Sequence, residues 1–455
     1  MTFLSYEELR RKLFALLHDK NYREIALLIR DANEVDIAEF LGECDEKERA
    51  LIFRMLPKDM AAEVFANLDA EDVETLIHDY SDKEVAELVN GLYNDDLADL
   101  MEELPASVAR RVLASTDPER RKLVNKLLAY PEDSAGAMMT TEFVHLRQKM
   151  TVIEALTRLR KVSTRTEMIY TCFVTSESRI LEGVITVREL LQAKDESTVA
   201  EIMETNVLSV TTQADKEQVA RMFDRYDLLA IPVVDSENRL VGIVTVDDAV
   251  DVLIEESTED VTIMAAVRPT EKPYLETTVW DNCKRRVVWL LLLMFSGMIN
   301  GSILERFEHA FVALPILVTF MPMVTDTGGN AGSQSSTLLI RGIALGEIRL
   351  RNLGQVLLKE LGIGLSVGSI LALANGFRIY LMNGRDLLLA ATVSAALLAV
   401  VVAANLIGGM LPLIAKSLKL DPAIMASPLI TTIVDALGLV LYFEIASAII
   451  PGLHL

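Results

Sequence analysis

Residues 428–443 read PLITTIVDALGLVLYF, an apolar run with one carboxylate, Asp435, set in its middle. A carboxylate in hydrocarbon costs at least a few kcal/mol, so it persists only where it serves a polar path or a partner. The run belongs to the stretch Ala423–Pro451, and four more apolar stretches precede it: Val287–Leu304, Ala310–Ile340, Leu353–Leu381 and Leu387–Ala415. Each is close to or longer than the roughly 20 residues a spanning helix needs. The second is overlong and carries Gly328-Gly329, which predicts a bend or partial unwinding there. Lys284, Arg285 and Arg286 precede the first stretch, Arg341, Arg349, Arg351 and Lys359 follow the second, and Lys416 and Lys419 follow the fourth. By the positive-inside rule the amino terminus lies inside and the carboxyl terminus outside. Five spans make a thin bundle, so a homodimer is expected to enclose any path.

The chain has 455 residues, 51% hydrophobic and 24% charged, with a formal net charge of −22. That charge is unevenly spread: residues 281–455 hold 12 basic and 10 acidic side chains, which leaves −24 on residues 1–280. An acidic soluble half therefore precedes a nearly neutral membrane half. Nucleic-acid binding is disfavoured, since it needs basic surface. Cys44, Cys172 and Cys283 are too few and too scattered for a disulfide scaffold or a thiolate metal site. The opening MTFLSYEELRRKLFALL is charged and amphipathic, unlike a secretory signal. No GKS or GKT phosphate loop, HExxH motif or nucleophile–base pair points to an enzyme.

Inside the spans the polar groups are oxygen donors. TDTGGNAGSQSSTLLIR, residues 325–341, carries Asp326, Asn330 and several hydroxyls. Asn405 adds an amide in the fourth span, and Ser427 and Thr431 add hydroxyls in the fifth. Thr431 and Asp435 are four apart and share a helix face. No basic residue lies in the central part of any span, so Asp326, Asn330, Asn405, Ser427, Thr431 and Asp435 line a path for a cation. Hard oxygen ligands suit Mg²⁺, and chemistry alone leaves Mn²⁺ and Ca²⁺ open.

The soluble half contains a duplication. GVITVREL (183–190) recurs as GIVTVDDA (242–249), and Tyr170–Val174 recurs as Leu229–Val233, both displaced by 59 residues. Each unit reads as helix, strand, turn, strand, helix. The pair resembles tandem CBS modules, which often bind adenine nucleotides; Thr186…Glu189 and Thr245…Asp248 stand at the position where that family often holds a ribose. Upstream, DAEDVETLIHDY, SDKEVAELVNGL and YNDDLADLMEEL follow at a 12-residue period and predict a stack of short helices. Acids cluster at helical spacing in this half: Asp95, Asp96 and Asp99; Glu217, Asp224 and Asp227; and Asp247, Asp248, Asp251, Glu255, Glu256, Glu259 and Asp260. Like charges so placed destabilise a helix, and a bound divalent cation would offset that.

Taken together, TGGNAGSQ, the DPA…PLITTIVD…GLVLYF stretch and the LPLI that ends the fourth span resemble the MgtE family of magnesium channels. The resemblance covers nearly the whole chain. It implies a multidomain membrane protein: an all-α helical-repeat N domain (1–134), an α+β tandem CBS pair (135–199 and 200–260), a connecting "plug" helix (261–282) and an α-helical bundle of five spans (283–455). It further implies a homodimer in a cell membrane, with Asp435 at the pore ion. Regulatory Mg²⁺ would be held by Glu63, Asp95, Asp99, Glu217, Asp224, Asp227, Asp248, Asp251, Glu256, Glu259 and Asp260, with Asp421 facing the last of these. ATP at Thr245 and Asp248 is the expected nucleotide. A secondary transporter coupled to protons or Na⁺ through Asp435, with nucleotide regulation, is the alternative.

Overall fold

The computed structural model describes residues 5–163, 166–270, 274–275, 277–308 and 314–451; the side chains of Asp59 and Ser427 are outside that description, as is the expected start of the second span at Ala310. The chain divides into two compact units, with the boundary between Leu253 and Ile254.

Among the described residues, the first unit opens with ten helices: α1 (Tyr6–His18), α2 (Tyr22–Arg30), α3 (Glu34–Gly42), α4 (Glu46–Phe53), α5 (Lys58–Ala66), α6 (Ala70–Asp79), α7 (Asp82–Val89), α8 (Asn94–Glu103), α9 (Ala106–Ser115) and α10 (Pro118–Leu127). The 12-residue repeat emerges as α6, α7 and α8. Ser81 caps α7 through a capping box with Glu84, the local chemistry its sequence promised. Helix α3 packs on α5, α5 on α7 and α7 on α9, while α4 packs on α6 and α8 on α10. No short helix buries its apolar stripe alone, so most lean on the next but one, while α1 packs on α2. Ile25, Ile29, Phe40, Phe53 and Phe65 are fully buried along the stack.

Two three-stranded sheets of described residues follow, β1-β2-β3 and β4-β5-β6 in order. Strands β1 (Phe143–Leu146), β2 (Met168–Thr175) and β3 (Leu181–Thr186) belong to the first module. Strands β4 (Val210–Thr211), β5 (Ala230–Val234) and β6 (Leu240–Thr245) belong to the second. The duplication holds residue by residue: Cys172 pairs with Ile185, and Ile231 pairs with Val244. Each module also gains a short parallel first strand, β1 or β4. These span four and two residues, too short for alternation to register in sequence. The module helices are α11 (Val152–Val162), α12 (Val187–Gln192), α13 (Val199–Ile202), α14 (Lys216–Tyr226) and α15 (Val246–Met264).

The connecting helix expected over 261–282 takes another form. Its first residues finish α15, which ends at Met264; Ala266 then turns with φ of 55°, and α16 begins at Val279. The described residues from Val267 to Thr278 carry no helix, consistent with Pro269, which disfavours helix in the residue before it.

Among the described residues, the second unit holds five long helices: α16 (Val279–Arg306), α17 (Ile316–Ala344), α18 (Leu353–Met382), α19 (Leu387–Ser417) and α20 (Ser427–Ile449). Four of them are long and apolar enough to cross a membrane, namely α16, α19, and α18 and α20 taken with the short turns that precede them. Helix α17 has the length, at 29 residues, but its polar run lowers its apolarity. It is also continuous through Gly328-Gly329, against the expected bend. Thr325 and Thr327 hydroxyls donate to the carbonyls of Met321 and Met323 (3.2 and 2.6 Å), so these two groups meet their hydrogen-bonding needs inside the helix. The glycines serve close approach instead: a Cβ on Gly328 would lie 2.6 Å from Val400 Cγ1, and one on Gly332 would lie 2.9 Å from Ile430 Cγ2.

Helix α19 meets α17 closely at Gly408, where a Cβ would run into the backbone carbonyl of Gly332. Gly408→Val should therefore lower the thermal midpoint of the detergent-solubilised chain, by about 1–3 kcal/mol of overpacking. Gly297→Ala, at a position with open space around it, should leave that midpoint unchanged or slightly raised.

Candidate cation sites

The first candidate site lies within the amino-terminal unit, where α8 meets the sheet modules. Asp95 sits in the first turn of α8, Glu167 immediately before β2, and Asp248 in the first turn of α15. Each offers one carboxylate oxygen, and the three oxygens lie within 4.8 Å of one another. Backbone and side-chain bonds hold them there. The Asn94 N–H donates to Glu142 Oε2 (3.1 Å) and its Nδ2 to Thr141 Oγ1 (2.9 Å), which seats the start of α8 on the segment before β1. Arg120 Nε donates to Asn94 Oδ1 (2.7 Å), bracing the same helix from α10. The Glu167 N–H donates to the Glu142 carbonyl (3.1 Å). The Thr245 hydroxyl donates to Asp248 Oδ2 (2.5 Å), fixing its direction.

Two of these carboxylates are short of partners. Asp95 is 5% exposed, and its Oδ1, like Glu167 Oε2, is buried without a hydrogen bond among the described residues. Burial, then the charges of Glu167, Asp96 and Asp248, pushes Asp95 well above the ordinary carboxylate range. Burial is also the first cause at Glu167, pushed up to about 7, and at Asp248, pushed up to about 6. Asp96 and Glu142 move in the same direction for the same reason. Asp99, on the exposed rim, is pushed up to about 7 by lost hydration among the surrounding protein atoms and by Asp248. Arg120 is a nearby cation, and burial lowers its own pKa.

Such a group can be relieved by protons or by a cation. Around an octahedral Mg²⁺ with bonds of about 2.1 Å, ligand oxygens sit roughly 3 to 4.2 Å apart, and around Ca²⁺ somewhat farther. The observed spacing accommodates either ion, and with oxygen donors alone it disfavours soft metals.

The structure brings together Asp95 and Asp248 of the expected ligands, with Asp99 at the rim. Glu63, on α5, is exposed, and loss of hydration followed by Asp96 raises its pKa. Asp251 is exposed one turn beyond Asp248. Glu217, Asp224 and Asp227 lie along or at the end of α14, apart from this group: Glu217 pairs with Arg221, and Asp227 ends the helix in the left-handed region at φ 51°. Glu256, Glu259 and Asp260 lie farther along α15. Asp421 accepts from the Ala423 N–H (2.8 Å) and so caps the short turn before α20. Glu167 was missed by sequence reading. It stands alone in its segment, and only the pairing of β2 carries it to Asp95. Thr186 and Glu189 form a capping box at α12, a local role for the first Thr-x-x-acid element.

The second candidate site is in the carboxyl-terminal unit. Asp326 and Asn330 are exposed on one face of α17, with Asn330 Nδ2 donating to Asp326 Oδ2 (3.3 Å). Thr431 and Asp435 are half-buried on α20, where the charge of Asp326 acts on Asp435. A Cβ on Gly329 would lie 3.1 Å from Thr431 Cγ2, so the two polar faces adjoin. Ser427 begins α20, with its side chain outside the described residues. Asn405 departs from expectation: it is 4% exposed, away from the open face. With its amide oriented to match its neighbours, it donates to the Ala331 carbonyl and accepts from the Gly364 N–H, each at 3.2 Å. An amide amid apolar helices finds backbone groups first.

Comparison with known proteins adds family evidence. The profile of a family described as divalent cation transporter matches residues 321–445. That of the MgtE intracellular N domain matches 32–133, and the CBS domain matches 135–196 and 199–255. The magnesium transporter MgtE of Thermus thermophilus is 38% identical over 450 residues, covering 98% of this chain and 99% of its own. The magnesium transporter MgtE of Bacillus subtilis is 35% identical over 450 residues, covering 99% of each. Among solved structures, the cytosolic domain of the Mg²⁺ channel MgtE in complex with ATP matches with a TM-score of 0.51 and 36% identity, over 53% of this chain and 99% of that one. The soluble part of a magnesium transporter matches with a TM-score of 0.52 and 30% identity, over 56% and 100%.

The raised carboxylates make stability depend on pH. Folded Glu167 and Asp248 hold protons that the unfolded chain releases near pH 4, so their contribution is full below that pH and is lost as pH rises through about 6 to 7. In EDTA, the thermal midpoint should fall between pH 5 and 8 by the equivalent of about 3 kcal/mol. Asp95→Asn should flatten that slope, and millimolar Mg²⁺ should remove most of it.

Proposed function

Because the chain belongs to the MgtE family of divalent cation transporters, we propose that it carries Mg²⁺ across a cell membrane and that cytosolic Mg²⁺ closes the path. The observation that carries this reading is the Asp95–Glu167–Asp248 group, three carboxylates with oxygens at divalent-cation spacing, two of which keep a buried oxygen without a hydrogen bond among the described residues. The relatives named magnesium transporter, similar along nearly their full length, support Mg²⁺ as the cargo.

In this reading the helical domain (1–134), the CBS modules (135–199 and 200–260) and the connector (261–282) are cytosolic, and residues 283–455 form the pore domain with its carboxyl terminus outside. Two chains pair, and their Asp435 carboxylates, with Asp326, Asn330 and Thr431, hold a Mg²⁺ that keeps much of its water. Membrane lipid covers the outward apolar faces, among them α16, which contributes no buried residue. When cytosolic Mg²⁺ is low the acidic faces repel and the body loosens. When it is high, ions held by Asp95, Glu167 and Asp248, with Glu63 and Asp99 at the rim, draw the helical domain onto the modules. Further ions bridge Glu217, Asp224, Asp227 and Asp251, and Glu256, Glu259 and Asp260 with Asp421. Helix α15 carries the signal: its first turn holds Asp248, and its last residues, Ile263 and Met264, pack on Ile340, Ala423 and Ala426 of the pore domain.

Magnitudes set how many ions this takes. Moving an equilibrium from 1:99 to 99:1 needs about 5.5 kcal/mol. A closed-state site at ten times its dissociation constant supplies about 1.4 kcal/mol. About four sites suffice, and the acid groups provide for that number. ATP at Thr245 and Asp248 adjusts the same body; the ATP complex of the related cytosolic domain supports this part.

The test is Mg²⁺ current through inside-out patches of the reconstituted chain, with cytosolic Mg²⁺ stepped from micromolar to about 10 mM, the range of weak carboxylate sites. Current that closes as Mg²⁺ rises is the expected result. Uptake that needs a proton or sodium gradient would favour a coupled transporter instead. Asp435→Ala should abolish current with folding intact. Asp248→Asn should leave the open current unchanged and favour the open state about tenfold at a given Mg²⁺, the loss of one such site.

A further inference from the structure

A second carboxylate lies deep among the long helices, and the path does not use it. Glu360, on α18, is 5% exposed. It accepts a short hydrogen bond from the Ser335 hydroxyl of α17, itself 5% exposed. Gly409 of α19 closes the other side, where a Cβ would come within 2.8 Å of Glu360 Cγ. One turn away, Asn405 of α19 reaches the Ala331 carbonyl of α17 and the Gly364 N–H of α18. Ala331 and Ser335 are four residues apart, as are Glu360 and Gly364, so two adjacent turns of α17 are tied to two adjacent turns of α18, with α19 as the bridge.

The ties matter because of what α17 carries elsewhere on its surface. Asp326, Asn330 and Gln334 are exposed at four-residue intervals. Five residues separate Asn330 from Ser335, which turns the tied face about 140° from the polar stripe. Side-chain tips lie roughly 5–6 Å from a helix axis, so a rotation of about 10° moves them by about 1 Å. The glycine contacts with α20 are smooth van der Waals surfaces, which resist separation better than rotation. Directional hydrogen bonds from the opposite side can fix the rotation.

We propose that Glu360, through Ser335 and together with Asn405, is a positioning residue that sets the rotation of α17 and so holds Asp326 and Asn330 in register with Thr431 and Asp435. Its link to transport rests on the function proposed above, whereas the rotational role does not.

The experiment separates the two. In the full-length chain with Cys283→Ser, which removes the exposed cysteine and leaves Cys44 and Cys172 buried, Asn330→Cys is labelled with a polar maleimide in detergent. Glu360→Ala should change the labelling rate at least threefold. Glu360→Gln, whose amide oxygen still accepts from Ser335, should restore it. A cysteine placed at Leu387, exposed on α19, should label at one rate in all three. Equal rates at position 330, an equal change in the Gln variant, or a parallel change at position 387 would each overturn the proposal. Mg²⁺ uptake by proteoliposomes should fall at least fivefold in Glu360→Ala and stay within twofold in Glu360→Gln. If labelling behaves as expected while the parent chain takes up no Mg²⁺, the transport reading fails and the positioning role stands.

Discussion

Three carboxylates whose oxygens lie within 4.8 Å of one another, one buried and two half-buried, cannot all be ionised without a counter-charge. Much of the amino-terminal unit follows from how that conflict is arranged. The stacked helices hold α8 by its apolar side and present Asp95 at its start. Asn94, Thr141, Glu142 and Arg120 then lock that start against the sheet modules. The duplicated module contributes Asp248 from its second copy and Glu167 from its first. A folded body built this way crowds carboxylates together in its middle, a conflict that protons relieve at low pH and that a bound cation would relieve at neutral pH. In the function proposed above, this one group of carboxylates is where the concentration of a divalent ion would be read.

The membrane half meets a related constraint by other means. Polar groups there are few, and most have a neighbour that satisfies them. Thr325 and Thr327 return to their own helix, and Asn405 bridges two backbones. Ser335 and Glu360 satisfy each other. The groups left on the open faces include Asp326 and Asn330 on α17, with Thr431 and Asp435 half-buried on α20. Glycines at 328, 329 and 332 let those two helices approach closely. The division between polar groups engaged in packing and polar groups left available is what gives this bundle a candidate ion path.

Signals carried by neighbours in sequence were legible before the structure. The 12-residue helical repeat, the 59-residue displacement between modules and the long apolar stretches all depend on local periodicity, and they appear as α6 to α8, as paired strands and as long helices. Tertiary pairing was not legible. Glu167 has no acidic neighbour in its segment, so only the placement of β2 reveals it. In sequence Asn405 reads as a donor lining the path and Glu360 carries no signal of its own, because the role of each depends on which helix lies opposite. Gly328-Gly329 suggested a break because glycine weakens an isolated helix. In a packed bundle the same residue permits contact, and α17 runs through. The family resemblance implied a helix for the connector, whereas Pro269 and the turn at Ala266 divide it.

The account rests on protons and a metal ion competing for one group of carboxylates. Calorimetric titration of Mg²⁺ into the full-length chain at pH 7, repeated in buffers of different ionisation heat, reads that competition directly, because a metal that displaces protons passes them to the buffer. The account predicts a buffer-dependent heat, worth roughly half to one proton per ion at this recess, that vanishes at pH 9 and in Asp95→Asn. Heats that are the same in every buffer, or a proton release that persists in Asp95→Asn, would contradict it.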